Sequence, residues 1–160
     1  MKVATFKWKP LSPKQRFIFL WWRMDKYKEY DAIIADGAVR SGKTVSMALS
    51  YVDWATENFD GVNIGLAGKT IESLRRNVIG PLKTMMLGRK YICKDNQSKN
   101  YLEIFNPRTG TTNYFYIFGG KDESSQDLIQ GITLGGMLFD EVALMPQSFV
   151  NQATARCSVD

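Results

Sequence analysis

One short stretch of the sequence constrains the fold more than any other, because it matches the pattern G-x-x-x-x-G-K-[ST] at every fixed position. It follows an apolar run within residues 30–36, Ala32-Ile33-Ile34-Ala35, which is typical of a strand buried on both faces. A segment with helical periodicity, 43–57, comes directly after it. Glycines allow backbone N–H groups to turn inward around phosphate oxygens, and the helix start adds unpaired N–H groups. The stretch predicts a nucleotide-phosphate site made by Gly37, Ala38, Val39, Arg40, Ser41, Gly42, Lys43 and Thr44.

Three side chains of this P-loop carry specific expectations. Lys43 is expected to place its ammonium against the β and γ phosphates of ATP, and the Thr44 hydroxyl is expected to ligate Mg²⁺. Arg40 is not required for phosphate binding. It could reach the γ-phosphate as an internal arginine finger, or it could face solvent as an ordinary loop arginine.

A second apolar strand is expected at residues 134–139, and two acids follow it directly. Such a strand would deliver Asp140 to the sheet edge where the P-loop also ends. Asp140 is then expected to hold the Mg²⁺ shell, while Glu141 can orient or deprotonate the attacking water. The pair favours ATP hydrolysis over nucleotide sensing. Taken alone, without the P-loop, these two residues could equally be a solvated turn after a strand.

Composition excludes several classes of site. The 160 residues include no histidine and only two cysteines, Cys93 and Cys157, so catalytic triads and His-bearing zinc sites cannot be built here. A net charge of +5 favours a polyanionic partner only mildly. No apolar run reaches the length of a signal peptide or membrane span, and the cysteine content favours a reducing cytoplasm.

The rest of the chain alternates between helical and strand patterns. Ser12 and Pro13 mark the entry of a short first helix. A buried strand is expected at 62–67 and a second helix at 70–87, bent or restarted near Gly80-Pro81. This βαβα order predicts one α/β domain with a parallel sheet covered on both faces, a three-layer sandwich.

The pattern changes after the second helix. Residues 101–105 and 113–118 flank a turn-rich segment and predict an antiparallel hairpin inserted into the sheet. A polar loop with a short helix is expected at 119–131.

Other candidate residues allow two readings each. The Gln15 amide could hydrogen-bond the adenine edge, or it could be a surface helix residue. Arg75 or Arg76 could act as an arginine finger in trans, although a solvated helix face is the favoured reading. Aromatic residues of the hairpin could stack on bases but are more typical of core; they are Tyr101, Phe105, Tyr114, Phe115, Tyr116 and Phe118.

Taken together, these segments resemble the N-terminal ATPase domain of the large subunit of tailed-bacteriophage terminases. The resemblance spans nearly the whole chain. The P-loop itself is generic, whereas its arginine and the last two segments are more particular. The matching segments are residues 11–15, 37–44, 68–77, 131–133 and 137–141.

The resemblance implies a RecA-like ATPase that translocates double-stranded DNA into procapsids in the bacterial host cytoplasm. Its implied partners are the portal protein, the small terminase subunit and further copies of itself in a ring, with no membrane. It also implies phosphate and magnesium contacts by Arg40, Lys43 and Thr44, a metal role for Asp140, a catalytic role for Glu141, and an adenine contact by Gln15.

The sequence departs from the family pattern at its end. It stops about twenty residues after Asp140-Glu141, before the coupling motif and the nuclease domain of the family. We therefore expect residues 1–160 to be an incomplete ATPase domain that lacks C-terminal strands and any nuclease activity. The alternatives are a helicase-like translocase and a non-catalytic nucleotide-binding fragment. A small-molecule kinase is a weaker alternative, because the sequence shows no recognisable pocket for an acceptor substrate.

Overall fold

A five-stranded sheet organises the chain, and the computed structural model describes residues 9–37 and 42–159. Its spatial order is β2-β3-β4-β1-β5. The strands are β1 (Asn63–Gly68), β2 (Ile92–Asn96), β3 (Tyr101–Asn106), β4 (Thr111–Gly119) and β5 (Met137–Phe139).

The sheet is mixed rather than wholly parallel. Strands β4, β1 and β5 run parallel, while β2, β3 and β4 form an antiparallel meander. The predicted hairpin is confirmed as β3 and β4, and β4 also belongs to the parallel part. Strand β2 was not predicted, because Lys94, Asp95 and Asn96 give it little apolar pattern and Ile92 is exposed.

Six helices accompany the sheet in the described part of the chain. Residues 71–88 form one continuous helical run, and its π-helical turn, Arg75–Ile79, ends directly before Gly80. Pro81 has no N–H to donate, so an interruption of the α-helical ladder is expected here, as the sequence indicated. The helices are α1 (Pro13–Leu20), α2 (Lys43–Asn58), α3 (Ile71–Leu74), α4 (Gly80–Gly88), α5 (Glu123–Gly131) and α6 (Gln147–Ala155).

The predicted three-layer arrangement is confirmed by two separate buried clusters. On one face of the sheet, α2 and α4 pack on alternate strand residues such as Ile64 and Phe115. On the other face, α5 and α6 pack on Ala67 and Phe118. Because side chains alternate along a strand, neighbours such as Ile117 and Phe118 serve different clusters.

The first helix is fixed to α2 through polar contacts. Ser12 and Gln15 form a reciprocal capping box, which confirms the predicted entry at Ser12-Pro13. The Ser50 hydroxyl of α2 donates to the Ile18 carbonyl at 2.8 Å and accepts from the Trp22 indole at 3.3 Å. These bonds lay α1 along α2.

The strand predicted within residues 30–36 is wrong. Residues 32–37 have no regular secondary structure, and the side chain of Ile34 is 90% exposed. A strand needs a hydrogen-bonded neighbour, and a four-residue apolar run does not reveal whether one exists. In the described residues the outer edge of β5 has no paired strand.

Candidate phosphate and metal site

Helix α2 begins directly after a glycine whose conformation few other residues adopt. Gly42 has φ +75°, and its carbonyl accepts the first helical hydrogen bond, from the Ser46 N–H. The following N–H groups of the first turn have no helical partner, so this end of α2 can receive an anion. Lys43 and Thr44 are the first two residues of the helix.

Two segments far apart in sequence meet at this helix start. The Thr44 hydroxyl donates to a carboxylate oxygen of Asp140 at 3.2 Å. Asp140 follows β5, and its own N–H donates to the Ala67 carbonyl of β1 at 2.8 Å. The carboxyl end of β5, beside β1, therefore places the predicted acid against the predicted P-loop threonine.

Asp140 lies in an environment that disfavours its charge. Burial raises the pKa of its carboxyl above the ordinary value, and the neighbouring Glu141 carboxylate raises it further. The Thr44 hydrogen bond and the Lys43 ammonium oppose this rise, yet the net shift of the pKa is upward. A cation placed beside Asp140 would relieve this unfavourable position.

Glu141 adopts a left-handed backbone conformation, with φ 55° and ψ 48°. This region is uncommon for a residue with a Cβ and costs about 1 kcal/mol. The chain changes direction at Glu141, after β5, and continues into the 3₁₀ turn Val142–Leu144. The Glu141 side chain is exposed. The second acid therefore lies in solvent immediately beyond Asp140.

The Lys43 ammonium donates to the carbonyl oxygen of Gly37. The lysine thus reaches back to the first residue of the predicted phosphate site. Four predicted phosphate contacts lie outside the described residues, those of Ala38, Val39, Arg40 and Ser41.

The donor set at this point fits a magnesium ion. Thr44 and Asp140 offer a hydroxyl and a carboxylate oxygen 3.2 Å apart. Adjacent ligands of an octahedral Mg²⁺ lie about 3 Å apart, given ligand distances of about 2.1 Å. The described residues contain no cluster of three or more acids, cysteines or histidines. A Mg²⁺ ion here would therefore share its shell with phosphate oxygens and water, as this ion commonly does.

Gln15 lies beside the loop as well as in the capping box of α1. A Cβ built at Gly42 would stand 2.8 Å from the Gln15 side-chain nitrogen. The amide oxygen accepts from the Ser12 N–H at 2.9 Å. Gln15 is thus held next to the phosphate loop, where the predicted adenine contact remains a prediction.

The two arginines after β1 have different surroundings. Arg75 donates to both carboxylate oxygens of Asp95, at 3.0 and 3.1 Å, and to Asn100 at 3.3 Å. The solvated face predicted for it is therefore wrong, because the unpredicted strand β2 supplies Asp95. Arg76 is 67% exposed beside Glu72, which agrees with that reading. No finger role is tested by these contacts.

The hairpin aromatics divide between the core and a partly open face. Phe115 and Phe118 are fully buried, which confirms the core reading for them. The other four are half-buried, and Tyr101 lies 5.3 Å from Tyr116 between ring centres. These four are Tyr101, Phe105, Tyr114 and Tyr116.

Comparison with solved structures identifies the family of this site. The large terminase of a thermophilic bacteriophage superposes with a TM-score of 0.91 at 61% identity, over 95% of this chain. The chain belongs to the large terminase family. It spans 37% of the length of that relative. No protein-family model and no curated protein matches the sequence.

Two further structures bear on the site and the fold. The same thermophilic-phage terminase has a structure in complex with ATP-gamma-S, with 56% identity, a TM-score of 0.86, and coverage of 94% of this chain and 36% of that one. The large terminase ATPase domain of Thermus phage P74-26 aligns at 15% identity and a TM-score of 0.55, over 84% of this chain and 64% of that one. The second likeness supports the fold alone. In the described residues, no helix is long and apolar enough to cross a membrane.

Proposed function

We propose that this large terminase chain binds ATP with Mg²⁺ at the start of α2 and hydrolyses it. The observation that carries the proposal is the 3.2 Å contact between Thr44 and Asp140, residues 96 positions apart in the sequence. A solvated turn after β5 would not need to place an acid against the P-loop threonine. The complexes of the thermophilic-phage terminase with ADP and with ATP-gamma-S support the choice of nucleotide.

Each residue has a distinct role in this proposal. Lys43 exchanges its Gly37 carbonyl for phosphate oxygens and neutralises charge on the β and γ phosphates. Thr44 and Asp140 offer oxygens to the metal, which supplies charge stabilisation when bound. Glu141, exposed on its left-handed turn, orients the attacking water and accepts its proton. Arg40 contacts phosphate, and Gln15 contacts adenine.

The wider role follows from the family. We propose that hydrolysis by this chain serves translocation of double-stranded DNA into procapsids, with the portal protein, the small terminase subunit and a ring of copies as partners. The host cytoplasm is the compartment in which this occurs. The net charge of +5 is compatible with a DNA-bound motor.

Hydrolysis and nucleotide binding by three variants test the proposal. Glu141→Gln is expected to lower ATP turnover by about 100-fold or more while ATP-gamma-S still binds, because only the base is lost. Lys43→Ala is expected to lose both turnover and tight binding. Glu103→Gln, on β3, is the matched control and should behave as the unaltered chain.

The outcomes separate the alternatives. Turnover of the unaltered chain that is no faster than that of Glu141→Gln would contradict catalysis. Retained binding in that case would favour the non-catalytic nucleotide-binding module. Stimulation of turnover by duplex DNA would support the motor role over a simple ATPase.

A further inference from the structure

A second concave site lies beside the far half of α2. It is a cavity of about 430 Å³ between α1, α2, the segment after α4 and the turn between β3 and β4. Asp53, which lines it, lies ten residues after Lys43. At a helical rise of about 1.5 Å per residue, the two are about 15 Å apart along α2. The cavity is therefore separate from the phosphate and metal site.

Arginines dominate the polar lining of this cavity. The four guanidiniums belong to Arg16, Arg23, Arg89 and Arg108. Two acids face them: Asp53, which lines the cavity, and Glu57, one helical turn further along α2. Four cations against two carboxylates leave an excess of positive charge.

The acids and the cations lie at different depths. The side chain of Asp53 is 6% exposed, and it is held by Arg89 and by the Tyr91 hydroxyl at 2.6 Å. Arg23 and Arg108 are 41% and 65% exposed. An anion that approaches from solvent therefore meets guanidinium groups before it meets Asp53.

The two exposed arginines converge on one atom. Arg23 and Arg108 both donate to the same oxygen of Glu57, the second at 3.1 Å. Arg23 also lies over the Trp22 ring, 4.3 Å from its centre, which limits its freedom. Two guanidiniums already gathered around a single carboxylate oxygen form a clamp of the kind that recognises phosphate, which has more oxygens to offer.

One wall of the cavity is apolar. It is formed by Phe19 and Leu20 of α1 and by Leu11 just before that helix, and Arg89 lies 5.7 Å from the centre of the Phe19 ring. The volume is within the range of small-ligand sites.

We propose that this cavity is a binding site for a phosphate group, held by Arg23 and Arg108 in competition with Glu57. The inference does not depend on ATP hydrolysis at the start of α2. Glu57 occupies the clamp in the absence of ligand, so its carboxylate should oppose phosphate binding. Removal of that acid and removal of either arginine must then change affinity in opposite directions.

Calorimetric titration with inorganic pyrophosphate tests this, in a Lys43→Ala background that disables the P-loop. Saturable binding is expected. Arg108→Gln or Arg23→Gln should weaken it about tenfold, the size expected for loss of a charge-assisted contact. Glu57→Gln should strengthen it about threefold or more, since both guanidiniums become available. All three side chains are partly exposed, so their loss should be tolerated by the fold.

Lys94→Gln is the matched control, because Lys94 forms an exposed ion pair with Glu103 away from the cavity. Its affinity for pyrophosphate should equal that of the background chain. Absence of saturable binding would overturn the proposal. Equal affinities of Glu57→Gln and Arg108→Gln for pyrophosphate would also overturn it. So would a loss of affinity in Lys94→Gln as large as in the arginine variants, because that loss would indicate diffuse charge attraction.

The same titration distinguishes two sources of the phosphate. A short DNA duplex that displaces pyrophosphate, with the displacement weakened in Arg108→Gln, assigns the clamp to the DNA backbone. A duplex that leaves pyrophosphate binding unchanged assigns it to free phosphate compounds. Both results support the site, whereas displacement unaffected by Arg108→Gln and Arg23→Gln alike contradicts it.

Discussion

Two carboxylates near opposite ends of α2 are treated very differently by the fold. Asp53 is 6% exposed and is paired with Arg89 and the Tyr91 hydroxyl. Asp140 is half-buried, accepts a hydrogen bond from the Thr44 hydroxyl at 3.2 Å, and lies beside a second acid. In the described residues, Asp53 is ion-paired with an arginine, whereas Asp140 is hydrogen-bonded to a neutral hydroxyl. This difference separates a structural carboxylate from one that can receive a metal.

The pKa values of neighbouring groups express the same contrast. Near Asp53, burial and the hydrogen bond to its carboxylate raise the pKa of the Tyr91 hydroxyl, which keeps that hydroxyl a donor. At the other end, burial and Glu141 raise the pKa of Asp140 itself, which makes its charge a cost to the folded chain.

The largest expected effect on stability comes from removal of the Asp53 carboxylate. Asp53→Ala removes the buried carboxylate to which the Arg89 guanidinium and the Tyr91 hydroxyl donate, and should lower the free energy of unfolding by about 3 kcal/mol. Urea unfolding measures this. Asp25→Ala removes an ion pair whose acid is 88% exposed and should leave the urea midpoint unchanged within experimental error. Equal effects of the two would abolish the distinction drawn for Asp53.

A smaller effect is expected at the start of α2. Gly42→Ala places a Cβ 2.8 Å from the Gln15 amide nitrogen at φ +75° and should cost about 1 to 2 kcal/mol of stability. Affinity for ATP-gamma-S should fall as well. Gly110 has the same φ and no atom within 4 Å of an added Cβ, so Gly110→Ala isolates the backbone strain. If Gly42→Ala loses no more stability and no more affinity for ATP-gamma-S than Gly110→Ala, then Gln15 does not contribute to the site.

The smallest effect has the opposite sign. Asp140→Asn removes a carboxylate whose pKa is raised in the folded chain, so it should increase stability at pH 7 by about 0.5 kcal/mol, a value discounted for partial exposure. The gain arises because the ionised form is disfavoured on folding. It should shrink as the pH falls towards about 4, where the unfolded chain also protonates.

Thermal unfolding of Asp140→Asn across that pH range measures the gain. Magnesium-dependent nucleotide binding should be lost in the same variant. A destabilised Asp140→Asn at neutral pH would mean that the Thr44 contact outweighs burial and that this acid resembles Asp53 after all.

Sequence patterns predicted the parts of the molecule that local chemistry decides. The hairpin followed from apolar strands around the turn-rich segment 106–112, and the α1 entry followed from Ser12 and Pro13. The meeting of Thr44 with Asp140 was predicted from an acid at the carboxyl end of a strand beside the P-loop. Strand β5 is formed as expected, whereas the strand expected before the P-loop is not.

Partners determined by tertiary structure could not be predicted in this way. The run Ala32-Ile33-Ile34-Ala35 is apolar enough for a strand but remains unpaired in the described residues. Strand β2 is polar, and it changes the environment of Arg75 through Asp95. The arginine cavity gathers residues 16–108 from separate elements, so no spacing in the sequence indicates it.

A crystal structure of this chain with ATP-gamma-S and Mg²⁺ would show where the nucleotide and the metal bind. We expect phosphates against Lys43 and the first N–H groups of α2, with a metal ion beside the Thr44 hydroxyl and the Asp140 carboxylate. Nucleotide bound elsewhere on the chain, or a metal held away from Asp140, would contradict the proposed site.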